Sequence, residues 1–328
     1  MKSSPVVLII QTAFIGDVIL ATSLIESIRA EAPSATIDFV VRKGNEELLA
    51  GNPGLRRVLV LDKSRKYRQV MELIKDFRRS RYDYVINVQR YATTGLMTAL
   101  SGGRYTIGFA SNPLSLFFTK RVEHDVGGVH EITRNLRLLA PLGIEKIVGP
   151  RIYPSEKQWE RVREFKTKPY LTISPASVWF TKQWPAERWV ELVKGAERMN
   201  VFLLGGPGDK DHCERISVQL PEHPVVNLCG QLSLVESAAL MKDAHMNFVN
   251  DSAPLHLASA MNAPVAAVFC STVPEFGFGP LSEMSFVIQT EEKLQCRPCG
   301  LHGFKACPQG HFRCASGIGV DRLLRTLA

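Results

Sequence analysis

Apolar runs alternate with stretches of helical spacing along the first half of the chain. An apolar run at 6–12 precedes a segment, 17–30, whose apolar residues recur at the three- and four-residue spacing of a helix face. Further apolar runs follow as TIDFVV, RVLVLD and YDYVINV. Strands that are apolar throughout are typical of a parallel sheet covered by helices on both faces. The pattern therefore predicts an α/β domain built on a doubly wound parallel sheet.

A turn-rich junction at 150–154 interrupts this alternation, and the alternation then restarts. The apolar runs of the second half are YLTIS, VFLLGG, VVNLCG, MNFVND and PVAAVFC. We expect two doubly wound domains, 1–153 and 154–328, each binding ligand at the carboxyl ends of its strands. The pattern leaves open whether a final helix, Gly319 to Ala328, packs back on the first domain.

Composition supports a soluble, globular class of protein, with 45% hydrophobic and 22% charged residues. No apolar run approaches the roughly 20 residues that span a bilayer. The apolar stretch near the N-terminus leads directly into a patterned turn and helix rather than into a small-residue cleavage site, which argues against a signal peptide. We expect a cytoplasmic protein.

The net charge of +8 is concentrated in the first half, where residues 1–150 hold 21 Lys and Arg against 14 Asp and Glu. Ten basic and three acidic residues lie between 56 and 81. Aromatic residues are not interleaved with this basic run and no nucleic-acid motif accompanies it, so nucleic acid is disfavoured as a partner. A phosphorylated or membrane-surface substrate is favoured, and an ordinary solvated face remains the alternative.

The loop from Thr12 to Asp17 lies between the first predicted strand and its helix. Gly16 permits close approach of the backbone to a ligand, and the Asp17 carboxylate could take a proton from an acceptor hydroxyl. Asp17 could equally act only as a stabilising charge at the start of the helix. The loop lacks the G-x-G-x-x-G pattern, which disfavours a dinucleotide site.

A second candidate loop follows the apolar run MNFVND and opens a helix. Free backbone N–H groups at such a helix start, near Ser252 and Ala253, attract a phosphate group. Asp251 could hold a sugar hydroxyl or orient the loop. His256 lies in the first helical turns, within reach of the same ligand, although a lone helical histidine is often structural.

Two further strand-end loops complete the predicted donor site. Lys182, in the loop that also contains Ser177, could balance the charge of a diphosphate leaving group. The glycine-rich loop 205–209 would let a nucleoside lie close to the backbone, with Asp209 near a ribose. The alternative is that this loop is only a turn.

Four cysteines lie close together in the last part of the chain, at Cys296, Cys299, Cys307 and Cys314. Their number suits a tetrahedral zinc site, but their spacing is not that of a common zinc finger. Free thiols in a surface loop and a disulfide are the alternatives. We expect no catalytic role, because none of the four follows a predicted strand.

Three separated motifs, QTAFIGDVILATSLIESIR, TKQWPAERW and VNDSAPLHLASAMNAPVAAVF, together resemble glycosyltransferase family 9, the ADP-heptose:lipopolysaccharide heptosyltransferases. The resemblance extends over nearly the whole chain. It implies a GT-B fold, in which two Rossmann-like domains face a central cleft. It also implies an inverting transfer with no obligatory metal or other cofactor, the ADP-sugar being a substrate. The first domain would bind the acceptor and the second the donor.

Site residues follow from the resemblance position by position. Asp17 matches the family's general base in its Gly-Asp motif, Lys182 the lysine that contacts the donor phosphates, and Leu232 a position that packs on the adenine. The other implied donor contacts are Ser177, Asp251, Ser252, Ala253 and His256, and Asp209 is added from its loop. The implied acceptor contacts are Gly16, the basic patch Lys63, Arg65 and Lys66, and Arg134.

The sequence departs from the family pattern at Gln11, where many members carry a basic residue, and at Val178, which replaces a second hydroxyl. These departures bear on the acceptor and the donor sugar more than on the reaction. We therefore expect an inverting glycosyltransferase that moves a sugar, heptose from ADP-heptose being favoured, onto a lipopolysaccharide core or related lipid-linked acceptor. Transient contact with the inner membrane surface is compatible with this. A nucleotide-sugar epimerase of the same fold is the main alternative, and a sugar-nucleotide sensor and a nicotinamide oxidoreductase are the others.

Overall fold

The structure is a computed structural model that describes residues 4–125, 127–196 and 199–327. The chain divides into two compact units, Met1–Tyr153 and Pro154–Ala328. None of the helices among the described residues combines the length and apolar composition needed to cross a bilayer.

The first unit is a six-stranded sheet with strand order β3-β2-β1-β4-β5-β6, in which every pairing is parallel. The strands are β1 (Val6–Ile10), β2 (Thr36–Arg42), β3 (Leu55–Leu61), β4 (Tyr84–Asn87), β5 (Tyr105–Phe109) and β6 (Lys120–Val122). The helices are α1 (Ile15–Glu31), α2 (Glu47–Ala50), α3 (Lys66–Ser80), α4 (Ala92–Ala99) and α5 (Glu131–Leu136).

The second unit repeats this plan with strand order β12-β11-β10-β7-β8-β9, again wholly parallel. Its strands are β7 (Tyr170–Ser174), β8 (Asn200–Leu203), β9 (Val225–Asn227), β10 (Met246–Asn250), β11 (Val265–Phe269) and β12 (Ser285–Gln289). Its helices are α6 (Glu156–Val162), α7 (Ala186–Gly195), α8 (Lys210–Ser217), α9 (Leu234–Lys242), α10 (Ala253–Met261), α11 (Arg313–Ser316) and α12 (Asp321–Leu324). The prediction of two doubly wound parallel sheets is confirmed.

Each sheet has a switch point, where the strand order reverses direction. In the first unit it lies between β1 and β4, and in the second between β7 and β10. Loops that leave the carboxyl ends of these neighbouring strands diverge to opposite faces of the sheet and leave a crevice between them. The chain thus brings the loop after β1 beside the loop after β4, and the loop after β7 beside the loop after β10.

The helix in the C-terminal segment is shorter than the pattern predicts. Helix α12 is followed by a 3₁₀ turn at Arg325–Leu327, and Ala328 lies outside the described residues. Leu323 is buried in the core of the second unit, and Leu324 lies beside Gly195 of α7. Whether this segment also packs on the first domain stays open.

Helix α1 is buried along most of its length, including its polar residues Thr22 and Ser27. The segment that leads out of the first unit runs along it and explains their burial. The Arg151 N–H donates to Thr22 Oγ1 at 2.9 Å, and the Val148 N–H donates to Ser27 Oγ at 3.0 Å. These hydroxyls satisfy backbone groups that have no strand or helix partner.

A buried carboxylate, Asp38 on β2, neutralises the first part of the basic run. It accepts hydrogen bonds from Arg56 at 2.7 Å, from Arg57 at 2.8 Å and from the Tyr82 hydroxyl at 2.5 Å. Burial opposes ionisation of Asp38, but these hydrogen bonds outweigh it and lower the pKa of the carboxyl. Arg56 and Arg57 are therefore paired structural charges, although both side chains remain partly exposed.

We expect Asp38→Ala to lower the free energy of unfolding by about 2 kcal/mol at pH 7, because it leaves the Tyr82 hydroxyl and the Arg56 guanidinium without this acceptor and removes one of the two carboxylates that Arg57 contacts. Thermal unfolding measures the loss as a fall in Tm of several degrees. Since the folded-state pKa of Asp38 is lowered, its stabilisation is present above pH 4 and fades as the pH falls below it.

Asp76→Ala is the matched control, because Asp76 bonds the same Arg57 at 3.1 Å but is more exposed. It should cost well under about 1 kcal/mol. Equal losses from the two substitutions would show that the network around Asp38 does not stabilise the sheet.

Candidate functional site

Asp17 lies in the first turn of α1, just beyond the carboxyl end of β1. The Phe14 N–H donates to its Oδ2 at 3.2 Å, so the carboxylate folds back over the start of the helix. Burial, and then the negative charge of Glu131, raise the pKa of Asp17 to about 6. The backbone N–H groups of Phe14 and Asp17 and the charge of Arg90 act in the opposite direction. Asp17 is therefore both a helix-start charge and a carboxylate with unusual basicity.

The two charges that act on Asp17, Arg90 and Glu131, also act on His124, and these three residues come from three different elements. Arg90 follows β4, Glu131 begins α5, and His124 follows β6. Burial, together with Arg90, lowers the pKa of His124, which packs edge-on against Phe109. Sequence reasoning missed Arg90, Glu131 and His124, although Arg90 carried the signal of a charge directly after a strand.

Arg134, an implied acceptor contact, is only 3% exposed. Its guanidinium pairs with Glu131 at 2.7 Å and donates to the Val129 carbonyl at 2.9 Å. This burial gives Arg134 a structural role and leaves little of its charge for an acceptor anion. Arg134 therefore affects the site indirectly, because it fixes the position of Glu131, whose charge acts on Asp17.

The loop that carries Gly16 and Asp17 is tied to the adjacent loop after β4. Gln11 is buried, and its side-chain oxygen accepts from the Ala13 N–H at 3.1 Å and from the Gln89 side-chain amide. Gly16 is partly exposed, as an approach to the backbone requires. Gln11, a departure from the family pattern, is thus a structural link between the two loops of the switch point.

The basic patch lies at the same carboxyl edge of the sheet, after β3. Lys63 and Arg65 are exposed in a 3₁₀ turn that leads into α3. The side chain of Lys66, the third member, lies outside the described part of the chain. The two described cations can meet an anion at this edge.

In the second unit, Lys182 and Asp251 form an ion pair of 2.7 Å. Lys182 belongs to the 3₁₀ turn after β7, and Asp251 follows β10, so the pair spans the switch point. The Thr272 hydroxyl, from the loop after β11, donates to the same Asp251 oxygen at 2.6 Å. Lys182 is partly exposed, which leaves its ammonium access to solvent. Two predicted donor residues are therefore in direct contact.

The start of α10 is formed by Ser252, whose backbone is extended, and by Ala253. Both are partly exposed, so the helix start is accessible. His256, one turn later, is 6% exposed and packs near the ring of Phe278. Its burial favours a role in shaping the loop more than a wide contact with ligand.

The remaining predicted donor residues stand on loops at the same edge. Ser177 follows β7, and its carbonyl accepts from the Gln183 side chain at 2.7 Å. Asp209 follows β8 and holds its own loop by accepting from the Gly206 N–H at 2.8 Å. Leu232, after β9, is partly exposed directly before α9. The sheet thus collects all of them at one edge, although it does not bring them into mutual contact.

The cysteine-rich segment is fastened to the loops that hold the ion pair. The Phe304 N–H donates to Thr181 Oγ1 at 2.8 Å, and the Thr181 N–H donates to the Phe304 carbonyl at 3.1 Å. The Cys299 N–H donates to the Ser271 carbonyl at 2.8 Å. Arg297 donates to the carbonyls of Cys270 and Thr272 at 2.7 and 2.8 Å. The cysteine spacing in the sequence did not predict these hydrogen bonds between the segment and the loops of the site.

The four cysteines of this segment are free thiols, and they line one cavity of about 370 Å³ together with His311. Within the described ranges, no group of three or more His, Cys, Asp or Glu side chains has the arrangement of a metal site. The described cysteines form no disulfide, and the zinc alternative drawn from the sequence stays a prediction.

Comparison with known proteins places the chain among sugar-transferring enzymes. Residues 70–302 match the model of glycosyltransferase family 9 (heptosyltransferase). A lipopolysaccharide heptosyltransferase 3 of Escherichia coli is 28% identical over 279 residues, which cover 79% of this chain and 82% of that protein.

Two solved structures share the fold. The glycosyltransferase family 9 protein of Veillonella parvula superposes with a TM-score of 0.84 at 22% identity, covering 99% of this chain and 97% of that one. The E. coli ADP-heptose lps heptosyltransferase II has a TM-score of 0.80 at 22% identity, covering 98% of this chain and 97% of its own. The predicted GT-B class is confirmed at the level of fold.

Gly303 tests the fastening of the cysteine-rich segment. Its φ is +79°, and a Cβ there would lie 2.8 Å from Thr181 Oγ1 and 3.1 Å from Lys182 Cγ. Gly303→Ala should therefore push the segment off the loop, at a cost of about 1–3 kcal/mol beyond the backbone strain. Thermal unfolding measures this loss of stability.

Gly300→Ala is the matched control, since Gly300 has a φ of +64° but the nearest atom to its Cβ is 4.0 Å away. Alanine at position 300 therefore has the strained positive φ but makes no steric clash with a neighbouring atom. If both variants unfold at the same temperature, the contact between Gly303 and the Lys182 loop contributes nothing.

Proposed function

The chain belongs to glycosyltransferase family 9, and we propose that it transfers a heptose from ADP-heptose to a lipopolysaccharide core or related lipid-linked saccharide, with inversion at the anomeric carbon. The family assignment supports sugar transfer, and the names of the relatives support heptose and lipopolysaccharide. The observation that carries the proposal is the Asp17 carboxylate, whose pKa burial raises to about 6.

In the proposed reaction Asp17 is the general base. A carboxylate with this pKa is ionised near neutral pH and is still basic enough to take a proton from the acceptor hydroxyl as that oxygen attacks. The oxygen bonds to the anomeric carbon from the face opposite the diphosphate, and the bond to the diphosphate breaks. ADP leaves with the bonding electrons. A single displacement of this kind inverts the anomeric configuration.

The second unit would hold the donor. The ammonium of Lys182 is suited to the diphosphate, and Asp251, fixed by Thr272, keeps that ammonium in place until the donor arrives. The accessible start of α10 offers backbone N–H groups to a phosphate oxygen. We propose that no cofactor is needed and that the ADP-sugar is a substrate. The full set of proposed donor contacts is Ser177, Lys182, Asp209, Leu232, Asp251, Ser252, Ala253 and His256.

The first unit would hold the acceptor. Gly16 allows a sugar to approach the loop that carries Asp17, and Lys63 and Arg65, with Lys66, meet phosphates or acidic sugars. Arg134 contributes through its pairing with Glu131. A lipid-linked acceptor lies in a membrane, so we propose that the protein works at the inner face of the cytoplasmic membrane.

Asp17→Asn should lower turnover of ADP-heptose with a lipopolysaccharide-core acceptor by about 10²- to 10⁴-fold, because the amide cannot accept the proton. ADP binding, measured by calorimetry, should be unchanged. The variant should also unfold at the same or a higher temperature at pH 8. The raised folded-state pKa means that ionised Asp17 costs stability above pH 6, and the amide removes that cost.

Asp211→Asn, an exposed position in the first turn of α8, is the matched control and should keep full activity. Undiminished transfer by Asp17→Asn would rule out Asp17 as the base. Conversion of the nucleotide-sugar without any acceptor would favour the epimerase instead.

The pH dependence of kcat/KM should rise through about pH 6, because Asp17 must lose its proton before it can act. Neighbouring charges should shift the midpoint of this rise in kcat/KM in opposite directions. Glu131→Gln removes a repulsive negative charge and should shift it to lower pH, whereas Arg90→Gln removes an attractive charge and should shift it to higher pH.

The two amide variants serve as controls for each other, since each removes one charge near the same carboxylate. If the pH at which kcat/KM rises is unchanged in both variants, or shifts in the same direction in both, another group governs the rate.

A further inference from the structure

Five large apolar side chains are exposed together on one part of the first unit. Tyr91, Leu96 and Leu100 lie on or beside α4, and Leu116 and Phe117 form the 3₁₀ turn after β5. Phe117 and Tyr91 are each 70% exposed and Leu116 is 77% exposed. We call these five residues the apolar face. Exposed apolar clusters of this kind commonly mark an interaction site.

Contacts between the two segments make the apolar face continuous. The Asn112 side chain donates to the Tyr91 carbonyl at 3.2 Å, and a Cβ on Gly95 of α4 would lie 3.1 Å from the Leu114 Cβ. The turn therefore packs against the first half of α4. Leu96 and Leu100 are four residues apart and lie on one side of that helix.

Positive charges flank the residues of the apolar face in the sequence. Residues 90–121 contain no Asp or Glu, and their cations Arg90, Arg104, Lys120 and Arg121 are all exposed. Arg78 of the neighbouring helix α3 adds a fifth cation, because its Nε donates to the Leu100 carbonyl at 2.8 Å. Apolar side chains flanked by cations are complementary to an anionic lipid surface, which offers phosphates outside and acyl chains within.

We propose that the apolar face docks the protein on an anionic phospholipid bilayer, with Leu116 and Phe117 entering the boundary between headgroups and acyl chains. Lys120, Arg121 and Arg104 then meet lipid phosphates. A protein partner of matching shape would have to supply both an apolar patch and acidic groups beside it. An anionic bilayer supplies an apolar interior and negatively charged phosphates without any specific shape complementarity.

The position of the apolar face relative to Asp17 is consistent with this use. Helix α4 begins at the carboxyl edge of the sheet, next to the loop that carries Asp17, and Arg90 is close enough to act on the Asp17 carboxylate. A saccharide that projects from a lipid under the apolar face would meet the base at its border. In this respect the proposal rests on the proposed function, since it takes the acceptor to be lipid-linked.

The test is sedimentation of the full chain with vesicles. Wild-type protein should bind vesicles of phosphatidylglycerol and phosphatidylethanolamine and bind much less to phosphatidylcholine alone. Leu116→Ser with Phe117→Ser should weaken binding by about tenfold or more, and Lys120→Glu with Arg121→Glu should weaken it at least as much. High salt should weaken the wild type and the serine variant but have little further effect on the glutamate variant.

Val218→Ser with Met284→Ser is the matched control, because it removes two apolar side chains that are 64% and 55% exposed on the second unit. It should bind vesicles like the wild type. The proposal is overturned if wild-type protein does not sediment with anionic vesicles, or if the control loses as much binding as the variant at Leu116 and Phe117. A wild-type dimer that this variant dissociates, without vesicle binding, would instead assign the apolar face to a second copy of the chain.

Transfer to a deacylated, soluble acceptor separates this proposal from the proposed function. The variant at Leu116 and Phe117 should keep wild-type activity on that acceptor and lose it only on acceptor embedded in vesicles. Equal loss on both acceptors would overturn the docking role. Absence of transfer by the wild type would contradict the proposed function and leave the vesicle result to stand by itself.

Discussion

The parallel strand order of the two sheets is the constraint on which the candidate sites depend. Because parallel strands end at one edge, every loop that follows a strand opens there, and the switch point separates two of these loops into a crevice. The loop of Asp17 is thereby placed beside the loop of Arg90, and Lys182 is placed against Asp251. Neither arrangement depends on closeness in the chain.

The buried carboxylate Asp38 and the partly buried carboxylate Asp17 of the first unit have pKa values shifted in opposite directions. Asp38 has two guanidinium groups and a hydroxyl directed at it, which lower its pKa and make it a stabilising charge. Asp17 accepts from the Phe14 N–H and also feels the charge of Arg90, but burial and the charge of Glu131 outweigh these effects and raise its pKa to about 6. The first arrangement favours stability, and the second retains basicity at some cost in stability, as is common in active sites.

The second unit uses a long-range support in place of such a network. The cysteine-rich segment bonds to the loops after β7 and β11, which carry Lys182 and Thr272. Asp251 receives a bond from each of these two residues. The geometry of the ion pair therefore depends on a segment more than a hundred residues from Lys182 in the chain, and disturbance of that segment reaches the site without any contact to a ligand.

The sequence by itself determined the two parallel sheets and the strand-end location of Asp17, Lys182 and Asp251, because apolar strands and their following loops are local patterns. Only the tertiary structure showed that Arg56 and Arg57 are neutralised by Asp38, and that Arg134 is buried against Glu131. A linear sequence counts these as free positive charges. Their partners come from other strands and helices, and the order in which strands assemble decides which charges meet, a property that no local spacing contains.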